Sequence, residues 1–145
     1  MKAMPMIAVA DVPASARYYS RLLGAVSGHG GDEYEQLLVE GQLVLQLHDM
    51  LPDASHGPLR DSGVKPGNGV ILWFTTDDFQ AQLHRLRVMG AVPEREPARN
   101  PFSGAMEIWL RDPDGYQVVI AEQTAKDKQV FQHPAFIDRP RAEQH

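Results

Sequence analysis

Two segments of this chain repeat apolar positions at helical spacing, and the same punctuation frames both. In DVPASARYYSRLLGAV, residues 11–26, Ala16, Tyr19, Leu22 and Leu23 form one stripe. In DDFQAQLHRLRVMGAVP, residues 77–93, Phe79, Leu83, Leu86 and Met89 or Val88 do the same. An aspartate precedes each pattern and Gly-Ala-Val follows it. Asp11 to Gly24 and Asp77 to Gly90 are both 13 residues apart. Aspartate at a helix start accepts free backbone N–H groups, and glycine just past the end takes the left-handed turn.

The flanks repeat as well. A strand-like run precedes each helix, MPMIAVA (4–10) and GVILWFTT (69–76). A short strand and a hairpin follow each. The first hairpin, YEQLLVEGQLVLQLH, turns at Glu40-Gly41. The second, AMEIWLRDPDGYQVVIAE, turns at Pro113 to Gly115. The order is β-α-β-β-β, twice, an α+β fold of two tandem modules. Residues 1–48 make the first module and 69–122 the second. Residues 49–68, rich in Pro, Gly, Asp and Ser, read as a linker. Residues 123–145 read as a polar tail carrying Phe131, Phe136 and Ile137, either frayed or docked on the body or on a second subunit.

Composition narrows the function. The 145 residues suit one domain, with 43% hydrophobic and 23% charged positions. No apolar run nears the ~20 residues of a membrane span, and the N-terminus lacks a signal-peptide pattern. The expectation is a cytoplasmic protein off the membrane. The absence of cysteine removes disulfides, thiolate metal sites and a thiol nucleophile. A net charge of −5 repels nucleic acid and favours a cationic small molecule. The sequence GHGGD (28–32) lacks the lysine and following helix of a phosphate loop, and reads as a connection between short strands.

The tandem order, Val9-Ala10-Asp11 before the first helix, Asp77-Asp78 before the second and DPDGY (112–116) in the last hairpin together resemble the vicinal oxygen chelate superfamily, over about residues 4–122. That superfamily holds glyoxalases, extradiol dioxygenases and bleomycin-resistance binding proteins. The resemblance implies that the mixed sheets curl into a cup, with helices outside and ligand inside. It also implies four metal ligands, mostly His and Glu, at places that fall here on Met4, Gln46, Ile71 and Val119. Three of these offer no donor to a hard or borderline metal and the fourth is a neutral amide. A one-residue slip, to Gln117 or Val118 and to Val70 or Leu72, restores nothing. The six histidines (His29, His48, His56, His84, His133, His145) show no ligand spacing, and His84 falls on a solvated helix face. The expectation is no metal and no cofactor.

Strand alternation then assigns faces within that cup. Leu43, Leu45 and Leu47 are expected under the helix, with Gln42, Val44, Gln46 and His48 opposite. Leu72 and Phe74 go with the helix, leaving Ile71, Trp73 and Thr75 opposite. Met106, Ile108 and Leu110 pack down, leaving Glu107, Trp109 and Arg111. The candidate ligand-binding residues are therefore Gln42, Gln46, His48, Trp73, Glu107, Trp109 and Arg111, with His48 and Glu107 as possible acid or base. At i, i+4 on one strand, Glu107 and Arg111 share a face without touching. The resemblance implies a metal-independent binder of a small aromatic or cationic compound, working as a homodimer. A glyoxalase-like lyase or isomerase, or a dioxygenase, would need the missing ligands. A third possibility is a cup filled as a core by Met4, Met6, Ile71 and Val119.

Overall fold

The computed structural model describes residues 1–51, 59–61 and 63–131. His56, His133, His145, Phe136, Ile137 and the side chain of Phe131 lie outside the described residues. The first module runs β1 (Met6–Val9), α1 (Val12–Leu23), β2 (Val26–Ser27), β3 (Tyr34–Val39) and β4 (Gln42–Asp49). The second runs β5 (Ile71–Thr76), α2 (Phe79–Met89), β6 (Ala98–Arg99), β7 (Met106–Arg111) and β8 (Gln117–Glu122). The β-α-β-β-β repeat is present in both. No helix among the described residues is long and apolar enough to cross a membrane.

Each module is one four-stranded mixed sheet, ordered β1-β4-β3-β2 and β5-β8-β7-β6. The first strand of each pairs in parallel with the last. A connection through a helix permits that, whereas hairpins make only antiparallel neighbours. The two sheets do not join into one closed sheet.

Local chemistry explains the boundaries. Asp11 accepts from the Ala14 N–H at 2.8 Å, and Gly24 ends α1 with φ 69°. The second cap is Asp78, which accepts from the Ala81 N–H at 2.9 Å. The expected start at Asp77 is one residue early, so the two helices are not equal in length. Glu40 and Gly41 both have positive φ, 51° and 75°, which is the tight hairpin turn whose twist matches its strands.

One core joins the modules. It holds Val9, Val12, Tyr19, Leu22, Leu37, Leu45 and Leu47 from the first and Leu72, Phe79, Leu86, Ile108, Leu110, Val118 and Ile120 from the second. Each fully buried side chain of this size stabilises by about 1.5–3 kcal/mol before entropy is charged. Met89 packs against the core and Val88 is exposed, settling the last position of the second stripe. Two buried polar residues lie outside the apolar stripes. Ser15 is on α1, and Gln82 on α2 donates its amide to the Leu22 carbonyl at 2.7 Å. That bond satisfies a carbonyl left free at the end of α1.

The DPDGY turn clamps the two modules. Asp112 takes the backbone N–H groups of Asp114 and Tyr116 on one oxygen and the Tyr19 hydroxyl, at 2.7 Å, on the other. Asp114 accepts from the Ala10 N–H and pairs with Arg60 at 3.0 Å. The Tyr116 hydroxyl donates to the Ala8 carbonyl. Burial raises the Asp112 carboxyl above its ordinary range and outweighs the hydrogen bonds from Tyr19, Tyr116 and Asp114 that oppose it. Burial, then the Asp112 charge, pushes Tyr18 up to about 12; Tyr19 is raised by the same two causes.

The start of the tail is helical. Helix α3 (Ala125–Phe131) begins with Thr124 and Asp127 capping each other, a signal present in the sequence as TAKD.

Candidate functional site

Each sheet packs one face into the shared core, and the opposite face carries most of the expected site residues. On the second sheet that opposite face carries a row in direct register: Trp73 opposite Val119, and Val119 opposite Trp109. The two indoles meet edge to face over the valine, with centroids 6.2 Å apart. Val119 is fully covered, while Trp73 stays 47% exposed.

Trp109 is held by polar and charged neighbours. Its indole N–H donates to Glu107 at 2.9 Å, and the Arg95 guanidinium lies 4.4 Å above its ring. The other Glu107 oxygen accepts from the Asn100 amide at 2.8 Å. Glu107 is thus buried with both oxygens engaged, which suits holding an indole better than moving a proton. Arg111 is exposed and turned to Glu94 at 2.7 Å. Glu94 also takes the Gln117 amide, and these two donors, Arg111 first, hold its carboxyl below the ordinary range.

On the first sheet, Gln46 is buried. Its carbonyl accepts from the Tyr34 hydroxyl and its amide donates to the Met4 carbonyl at 2.9 Å. Gln36 donates to the same Tyr34 hydroxyl, and the rings of His29 and His48 stand at 4.9 and 6.0 Å from Tyr34. His48 contacts Asp49 through its carbonyl at 3.0 Å and its carboxylate at 3.4 Å.

Gln42 does not join this face. Leu37 pairs with Leu45 but Leu38 pairs with Leu43, so Val44 is an extra residue on β4. A bulge of this kind resets the alternation. Val44 packs against the core in place of Leu43, and exposed Gln42 sits opposite Val39, itself packed on the core.

Gln46 and His48 therefore lie on one sheet, and Trp73, Glu107, Trp109 and Arg111 on the other. The side-chain contacts of Gln46, Trp73, Glu107, Trp109 and Arg111 run within their own modules, while the Arg111 carbonyl accepts from the Tyr18 hydroxyl of the first module at 3.3 Å. Between the modules opens a groove of about 900 Å³, lined by Val44, Leu45, Ile71, Trp73, Phe74 and Arg85 among others. A second cavity of about 500 Å³ is bounded by Trp73, Thr75, Phe102, Ala121 and Lys126. Trp73 alone of the expected residues borders both. Tyr34 and Gln36 were legible from the alternation of YEQLLV, which puts them on the Gln46 face. Arg95 and Asn100 stand in connections, where no periodicity marks them.

The sequence profile of the Glyoxalase/Bleomycin resistance protein/Dioxygenase superfamily matches residues 3–120. The chain belongs to this superfamily. Its fold is shared with an integron cassette protein from the mobile metagenome of V. cholerae, at TM-score 0.65 and 20% identity, covering 86% of this chain and 98% of that one. Lactoylglutathione lyase from Agrobacterium tumefaciens aligns at TM-score 0.64 and 20% identity, over 84% and 92% of the two chains. TioX from Micromonospora sp. ML1 aligns at TM-score 0.66 and 13% identity, over 86% and 99%. At these identities the likeness is one of fold. No curated protein matches the chain in sequence.

The metal implied by the superfamily does not fit the residues present. Gln46 has both ends of its amide occupied, Ile71 and Val119 carry no donor, and Met4 offers an exposed thioether. Among the described residues no three His, Asp or Glu side chains gather to hold an ion. At Val119, where the resemblance implies the β8 ligand, an apolar side chain lies in register between the two indoles.

Proposed function

We propose that this superfamily member is a metal-independent binder of a small aromatic compound, resembling the bleomycin-resistance branch, and that it works in the cytoplasm as a homodimer. The Trp73–Val119–Trp109 row carries the proposal. It offers a half-exposed indole on a rigid wall, at a place where the chelating members need a donor. An aromatic surface already fixed by packing loses little entropy when a planar ligand stacks on it. A cup filled as a core is disfavoured, because Met4, Met6 and Ile71 are each about half exposed. Together with Val70 and Trp73 they leave apolar surface on the leading strand of each module, which a second copy would cover.

The test is metal content by mass spectrometry after soaking in Mn, Fe, Co, Ni and Zn and dialysing. The expected result is no retained metal, with aromatic compounds quenching indole fluorescence. Stoichiometric metal would restore the lyase, isomerase or dioxygenase reading. Light scattering behind a sizing column reads the oligomeric state directly.

A further inference from the structure

Nearly every charge on the Trp109 side of the second sheet is already committed. Glu94 serves Arg111 and Gln117, and Glu107 serves Trp109 and Asn100. Glu122 accepts from the Met106 N–H and lies 3.7 Å from Arg99, which also donates to the Gly104 carbonyl. Arg111 adds a bond to the Gly115 carbonyl. Arg95 differs from all of these. It is exposed, its guanidinium stacks on Trp109, and it makes no hydrogen bond or close ion pair with any described residue, acting on Glu94 only through its charge.

We infer that Arg95 sets the charge of the molecule this face accepts, and that the molecule is an aromatic carboxylate. The inference rests on the binding function proposed above and reverses the charge that the overall −5 suggests. Net charge acts at long range and is screened within about 10 Å at ordinary salt, whereas contact groups decide what stays bound. A cationic ligand stacking on Trp109 would have to displace the cation already there. A carboxylate meets a planar fork of N–H donors held in place by the indole, a geometry suited to two parallel bonds. The aromatic part has the half-exposed Trp73 ring beside it.

Three probes of one shape separate the possibilities: 2-naphthoate, 2-naphthylmethanol and 2-naphthylmethylammonium. Each is titrated calorimetrically into the whole protein. The two indole N–H signals, followed by NMR on ¹⁵N-labelled protein, locate binding. The expected result is naphthoate at least tenfold tighter than the alcohol and the ammonium compound weakest, with both indole signals shifting. Arg95→Gln should bring the naphthoate-to-alcohol ratio toward one, and Arg95→Lys should keep part of it. Equal or tighter binding of the ammonium compound, or a full preference surviving in Arg95→Gln, overturns this inference and leaves the binding function standing. No binding by any of the three overturns both.

Discussion

The Tyr19 hydroxyl, on the helix of the first module, donates to Asp112, in the turn of the second, at 2.7 Å inside the protein. This bond is one reason the two modules behave as one body. Tyr19→Phe leaves a buried carboxylate oxygen without its donor, at a cost of about 1–3 kcal/mol. Urea unfolding should show that loss as one cooperative transition. A stability within a few tenths of the parent would remove the clamp assigned to this pair.

The indoles should respond differently to truncation. Trp73→Ala removes a half-exposed ring and should weaken aromatic ligands at least tenfold with little change in thermal midpoint. Trp109→Ala uncovers Val119 and strips Glu107 and Arg95 of their partner, so it should also destabilise by roughly 2–4 kcal/mol. Unaltered affinity in both variants would take the ligand off this face.

The two aspartates before α2 provide a test of boundary. Asp78→Ala should lose about 1 kcal/mol, since it removes the side chain that accepts from the Ala81 N–H. Asp77→Ala should be close to neutral. The reverse ranking in thermal melts would put the helix start where the simple repeat count puts it.

Glu40 occupies a backbone conformation that costs most side chains about 1–2 kcal/mol. Asparagine relieves part of that and makes the favoured Asn-Gly turn. Glu40→Asn should raise stability by roughly 0.5–1 kcal/mol, visible as a higher unfolding midpoint. A fall in midpoint would mean that the glutamate side chain itself is needed.

Glu35 ties down the 28–30 loop. Burial alone would raise its pKa, but donors from Gly30, Ser27, Gln36 and His29 outweigh burial and lower it. A lowered folded-state pKa means the ionised form stabilises the protein above the ordinary glutamate range. That contribution is lost as pH falls through the depressed value. Glu35→Gln should therefore be less stable than the parent at pH 7, by roughly 1–3 kcal/mol, and the gap should close in acid. An equal gap at pH 7 and in strong acid contradicts this account.

The local rules along the chain determined the repeat, both hairpin turns, the first helix caps and the alternation on β5 and β7. Each depends on near neighbours: a capping side chain, a positive φ, a period of two or 3.6. The same reasoning placed Trp73, Glu107 and Trp109 on one face. Only the tertiary structure decided the rest. Leu37 and Leu38 take partners out of step, which no pattern in QLVLQLH reveals, and Gln42 changes face. Gln82 is buried because a carbonyl of the other helix needs a donor there. Arg95 reaches Trp109 from a connection with no period. Asp112 and Asp114 hold residues about a hundred positions away, which turns an ordinary-looking hairpin into the joint between modules. Contacts between segments distant in sequence carry no local signature, and in this protein they set which charges around Trp109 are spoken for.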